Sequence, residues 1–190
     1  MSVNTTILTS PVRVKRDTAL NDSVDDNLLF PAIVMAQERN VHPVLGTRLY
    51  DKVRELVADG TINDAGNAIY KTLLDTYVVP MLVQYAFAEV IPILRLRFIN
   101  NSIVVMGSEQ SAAATYEEVK PIINSAREVA NWYKERLIEY LCYNNNLYPE
   151  YNAGTNEDVL PTSRNYTQGL NLEYSLRKDE LRMIRGILGL

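Results

Sequence analysis

Residues 77–94, YVVPMLVQYAFAEVIPIL, form an 18-residue run in which Glu89 is the single charged side chain. A stretch this apolar can sit in a bilayer or at the centre of a protein core. A carboxylate near mid-bilayer costs about 2.5–3.5 kcal/mol on insertion scales. Gln84 adds a second polar group, and Pro80 and Pro92 interrupt the run. The expectation is therefore a soluble, mainly α protein with this segment as its central helix. A helix apolar nearly all round is one that others pack against.

Apolar spacing outlines a compact bundle of about four helices around that element. The first is expected over about 24–40, with Leu29, Ile33 and Ala36 inward and Ser23 and Asp26 as a capping box. His42-Pro43 should end it, because a residue before proline is pushed out of the helical region. A second helix is expected over about 47–58, with Leu49, Val53, Leu56 and Val57 inward and Gly60 as a left-handed cap. The central helix should span about 65–94, bent at Pro80. Residues 95–106, RLRFINNSIVVM, alternate and turn at Asn100-Asn101, which reads as a short β-hairpin. Thr115-x-x-Glu118 is a capping box for a last long helix, about 116–144. Its inward stripe is expected to be Ile122, Ala126, Val129, Tyr133, Leu137, Tyr140 and Leu141.

The chemistry-bearing residues are sparse. His42 is the lone histidine, so histidine metal clusters and two-histidine acid–base schemes are impossible within one subunit. No glycine-rich phosphate loop or nucleophile elbow occurs. Asp25-Asp26 and Glu117-Glu118 fall in helix first turns, where negative charge suits the dipole. The single cysteine, Cys142, excludes an internal disulfide and fits a reducing compartment as a small buried hydrophobe. The expectation is no enzyme, and no catalytic, cofactor or metal residues. A net charge of −4 argues against a broad phosphate-gripping surface. Glu89 must find a partner such as Arg95, Arg97 or Arg127, or else face an aqueous lumen, because an unpaired buried charge is costly.

Both ends read as arms around a central domain of residues 24–148. Residues 1–23 are polar and β-branched, show no helical period, carry a basic cluster at Arg13, Lys15 and Arg16, and lack the pattern of a signal peptide. Residues 149–190 begin with an Asn-, Thr- and Gly-rich stretch holding Tyr151, Tyr166 and Tyr174. They close on an amphipathic helix of about 176–188, with Leu181, Ile184, Ile187 and Leu188 on one side. Fixing a backbone residue costs about 1–2 kcal/mol, so ordering about 25 arm residues costs on the order of 40 kcal/mol. At ~25 cal/mol per Å² the offsetting burial is about 1,600 Å². Neighbouring molecules are the expected source, with the basic cluster, the arm tyrosines and the terminal apolar residues as contacts.

Residues 26–57, DNLLFPAIVMAQERNVHPVLGTRLYDKVRELV, carry a recognisable pattern. An acidic residue opens a helix containing Ala36-Gln37-Glu38. Val41-x-Pro43-x-Leu45-Gly46 follows, then a second helix with Leu49-Tyr50-Asp51. This resembles the helical head–tail connector, or adaptor, proteins of tailed bacteriophages, particularly the neck ring proteins of crAss-like and related phages. The resemblance covers about residues 24–148, and its motifs are structural. It implies a homo-oligomeric ring of about twelve subunits, docked on the portal protein at one capsid vertex of the virion and assembled in the host cytoplasm. Other neck and tail ring proteins would lie below. Genomic DNA would pass through without sequence-specific binding, and a negative subunit suits such a channel. No membrane contact is implied. The competing expectation is a soluble helical regulatory or binding module whose arms order on a partner.

Overall fold

The computed structural model describes residues 6–99, 102–105, 115–152 and 159–162. The fold is mainly α. Helix α1 (Pro11–Asp17) starts at Ser10, whose hydroxyl accepts from the Arg13 N–H at 3.2 Å, with Pro11 in the first turn. That is a favourable start, since proline's missing N–H would be unpaired there anyway. Helix α2 (Asp26–Ala36) is capped by Asp25, whose carboxylate accepts from Asn27 N–H at 2.9 Å. The expected Ser23 cap is not used.

Helix α2 does not stop at His42-Pro43. It widens into a π turn, Gln37–Val41, and runs on as α3 (His42–Leu45) until Gly46, with φ 74° and ψ 158°, breaks it. A second π turn, Leu73–Val78, joins α5 (Ala68–Thr72) to α6 (Val79–Arg95). Each π turn ends two residues before a proline, Pro43 and Pro80 respectively. A proline ring clashes with the carbonyl four residues back and offers it no N–H. An i→i+5 register moves that carbonyl aside and lets the helix continue. Between them, α4 (Thr47–Ala58) spans its expected residues, and Gly60 follows with φ 73°, ψ 4°.

Helix α6 lies between α2 and α7 (Tyr116–Tyr143), which both pack on it. Met81, Leu82, Ala86 and Val90 of α6 are buried with Leu29 and Ile33 of α2 and Leu137 and Leu141 of α7. The segment Ala65–Leu94 is long and apolar enough to cross a membrane, yet 56% of its most apolar window is buried within the chain. Strands β1 (Leu96–Ile99) and β2 (Ser102–Val105) pair antiparallel, with Leu96 opposite Val105 and Ile99 opposite Ser102.

Helix α7 opens on the expected capping box. The Thr115 hydroxyl accepts from Glu118 N–H at 3.4 Å, and the Glu118 carboxylate accepts from Thr115 N–H at 2.7 Å. Those bonds hold the exposed Glu118 carboxyl below its usual range. Its inward face matches expectation at Ala126, Leu137 and Leu141, with Tyr133 and Tyr140 half-buried against the core, and departs from it at Ile122 and Val129. Ile123, Ala126, Ala130, Leu137, Ile138 and Leu141 are buried, whereas Ile122 and Val129 are 51% and 41% exposed. Apolar residues cover more than one face of α7, so spacing alone could not select the one that meets α6.

The described parts of both ends also depart from expectation. Residues 6–23 are not an extended arm. Helix α1 packs on α6 and α2, Val14 is fully buried and Leu8 nearly so. A two-turn helix is too short to show a period, which is why the pattern read as irregular. At the other end, α8 (Pro149–Asn152) buries Tyr151 in the same core as the fully buried Tyr148. Tyr166, Tyr174, Leu181, Ile184, Ile187 and Leu188 lie outside the described residues.

Candidate assembly surface and the corner that fixes the chain ends

The turn from α2 through α3 into α4 forms a corner on which distant parts of the chain converge. Gln37 is its hub and is fully buried. Its amide nitrogen donates to the Thr6 carbonyl at 3.1 Å and to the Tyr50 hydroxyl at 2.7 Å, and its Oε1 accepts from Leu8 N–H at 2.9 Å. Every polar atom of this buried amide that could be costly is therefore engaged. Tyr50 donates onward to Glu38 Oε1 at 2.6 Å. Burial first, and then that carboxylate, pushes the Tyr50 hydroxyl well above its ordinary range. The His42 ring stacks on Tyr50 with centroids 4.6 Å apart, and its Nε2 lies 3.0 Å from Thr47 Oγ1.

The corner also pins the C-terminal side. Thr47 N–H donates to the Val159 carbonyl at 3.0 Å, and Val159 N–H donates to Thr47 Oγ1 at 3.1 Å. The Pro43 carbonyl accepts from both the N–H and the hydroxyl of Thr162, each at 2.9 Å. Pro161 sits directly on Gly46. A Cβ built there would lie 2.7 Å from Pro161 Cδ, and the positive φ already favours glycine. Gly46 is thus required twice, by its own backbone and by what rests on it.

Tyrosines extend this anchoring. Tyr148 donates to the Ile69 carbonyl at 3.1 Å and sits 3.0 Å from the Tyr140 hydroxyl, while Tyr140 stacks on Tyr77 at 4.0 Å. Tyr70 donates to Glu150 at 3.0 Å, and Tyr151 donates to the Thr162 carbonyl at 3.1 Å. Burial pushes Tyr70 and Tyr151 each up to about 12, with Glu150 the second cause for Tyr70. Tyr151, expected to reach a neighbour, is part of the subunit's own core.

The other candidate residues are also engaged internally. Arg13 and Arg16 both pair with Asp17, Arg16 at 2.7 Å, and Lys15 pairs with Asp26 at 2.6 Å. The Arg16 hydrogen bond is the main reason the Asp17 carboxyl is held below its usual range. Glu89 is half-buried between Arg39 at 3.1 Å and Arg127 at 3.8 Å. Arg127 was expected. Arg39 was not, because fifty residues separate it from Glu89 and no local pattern links them. Among the described residues, no group of three or more His, Cys, Asp or Glu side chains could hold a metal ion.

Among the described residues several large apolar side chains are exposed. On α7, Ile122, Val129 and Trp132 recur at intervals of seven and three and are 51%, 41% and 60% exposed. They sit on one helix face, well round from the core stripe. Beside them, Gln84 and Phe87 of α6 with Ile122, Ser125 and Val129 line a groove of about 370 Å³. On α2, across α6, Leu28, Phe30 and Met35 are also exposed. Isolated exposed apolar residues are ordinary, but a run along one face marks an interaction surface.

Residues 41–159 match a family of unknown function, DUF6712. The chain belongs to that family. The matched stretch of this DUF6712 protein starts at the corner and ends at Val159, so the bonds between Thr47 and Val159 close it upon itself. Helices α1 and α2 precede it. No curated protein and no solved structure matches the chain.

Proposed function

We propose that this DUF6712 chain is a structural subunit of a tailed-phage neck, one of a ring of about twelve that joins the portal to the tail around the DNA exit channel. The observation that carries the reading is the exposed apolar face of α7, together with a second, smaller one on α2, where Leu28 and Met35 are exposed seven residues apart. Two different sticky faces on one subunit favour head-to-tail contacts, which close into rings when the rotation allows. In this reading the bundle with its β1–β2 hairpin is the ring body. In this reading Glu89, between Arg39 of the π turn after α2 and Arg127 of α7, ties both to α6.

The arm role passes from 6–23, 149–152 and 159–162, which are engaged with the subunit's own helices, to residues outside the described ones, chiefly 163–190. Those last 28 residues, with Tyr166, Tyr174 and the apolar positions Leu181 to Leu188, would clasp the portal. Cosedimentation with purified portal particles tests this. The full chain should bind as a multimer, and a chain ending at Thr162 should fold but not dock. Undiminished docking of the shortened chain would refute the arm role. A Val129→Asp chain that still multimerises on the portal would refute the role of α7.

A further inference from the structure

We infer that the outward face of α7 packs on the outward face of α2 of a second copy of this chain, with the two helices running in opposite directions. The inference rests on the reading of α7 as an assembly surface and names the partner of that surface. Position, spacing and charge lead to it.

Helices α2 and α7 both pack on α6, which lies between them, so one copy can offer a different helix to each neighbour. Each helix carries exposed apolar residues in one line. On α7 the line is Ile122, Ser125, Val129 and Trp132, and on α2 it is Leu28, Pro31 and Met35. Alternating steps of three and four keep each line on one helix face. Two such faces interlock as knobs into holes.

Leu28 to Met35 and Ile122 to Val129 are each seven residues, a rise of about 10.5 Å, so the two lines can stay in step. Set antiparallel, Leu28 comes beside Trp132, Pro31 beside Val129, and Met35 beside Ser125. Ser125 lies on the groove of about 370 Å³ that Phe87, Ile122 and Val129 also line. Met35 would enter that groove, and its unbranched thioether suits an irregular apolar gap.

Charge sets the direction. Each line runs from acid to base, from Asp25 to Arg39 along α2 and from Glu118 to Arg136 along α7, and all four residues are exposed. Their own subunit already orients them. Asp25 caps α2, Arg39 holds Glu89, Glu118 closes the capping box, and the Arg136 guanidinium lies 4.9 Å from the Tyr77 ring centre. An antiparallel pair brings Asp25 to Arg136 and Arg39 to Glu118, whereas a parallel pair sets like against like. Exposed ion pairs add little affinity, but like charges facing each other exclude the wrong arrangement. Two copies joined α7 to α7 would stop at two and leave both α2 lines open.

Two variants separate the faces. Val129→Asp spoils α7 and leaves α2 whole, while Met35→Asp spoils α2 and leaves α7 whole. Both sites are exposed, so helical content by circular dichroism should not change. At concentrations where light scattering shows the unaltered chain associating, each variant alone should stay monomeric. An equal mixture should form a pair and go no further. With Cys142→Ser in both chains, Asn27→Cys on the Val129→Asp chain and Glu135→Cys on the Met35→Asp chain should be joined by a short bis-maleimide linker. Pro121→Cys in place of Glu135→Cys should not be joined. A Met35→Asp chain that associates by itself, a mixture that stays monomeric, or joining at Pro121 instead of Glu135 would each overturn the inference and leave the assembly reading standing. An unaltered chain that does not associate, free or on portal particles, would overturn both.

Discussion

The corner at Gly46 and the outward face of α7 lie in one subunit but leave opposite things unsatisfied. At the corner, Gln37, Tyr50, Glu38, His42 and Thr47 use up their polar atoms on one another and on Thr6, Leu8 and Val159. On α7 the core-facing stripe is buried, while Ile122, Val129 and Trp132 are exposed among the described residues. The corner gains stability by closing the chain, and α7 gives some up by leaving apolar surface open. Substitutions at the corner should therefore cost folding, and substitutions on α7 should cost assembly.

The sharpest test of that division is Gly46→Ala. The backbone there lies in a region essentially reserved for glycine, and the new methyl would meet Pro161. Strain and overpacking together should cost about 3 kcal/mol, seen as a lower urea midpoint at unchanged slope. A loss under about 1 kcal/mol would mean that Pro161 does not rest on Gly46.

Gln37→Ala should come next. It strands the Leu8 N–H and the Thr6 carbonyl and costs about 2 kcal/mol, with faster proteolysis near residues 6–10. Proteolysis unchanged there would separate the N-terminal stretch from the corner.

Alkaline unfolding gives a gentler effect. Tyr70 and Tyr151 hold their protons more tightly folded than unfolded, so their contribution is full below the ordinary tyrosine range, about 10. It fades as pH rises through about 12, the value to which both are pushed. Tyr70→Phe should flatten the fall in stability between those limits, measured as urea midpoint against pH. An unaltered profile would show that burial of Tyr70 beside Glu150 does not raise its affinity for the proton in the folded state.

Val129→Asp should change monomer stability least, within about 0.5 kcal/mol for an exposed site, while abolishing association. A large stability loss would put Val129 in the core and erase the contrast.

Much of this division was legible in the sequence, and the rest was not for identifiable reasons. The span of α4, the Thr115–Glu118 box and the Gly60 cap follow from local chemistry, because each is made by residues within a few positions of one another. Helix α1 was hidden by its length, although Ser10-Pro11 is a start signal in its own right. The inward stripe of α7 was legible at Ala126, Leu137 and Leu141 but misplaced at Ile122 and Val129, because apolar residues there cover a second face. Pro43 looked like a stop because the local rule knows only the α register, and the π turn escapes it. The pairing of Thr47 with Val159 joins residues 112 apart, and no short-range pattern announces it. The motif around Gln37 and Tyr50 was visible, but its role as the anchor for Thr6 and Leu8 emerges only in three dimensions.

The most direct measurement is imaging of the neck of a tailed phage that encodes this chain. The account expects a ring below the portal in which Ile122, Val129 and Trp132 of each copy are buried against the next. A particle that lacks the chain, or a ring in which that face of α7 stays in solvent, would contradict it.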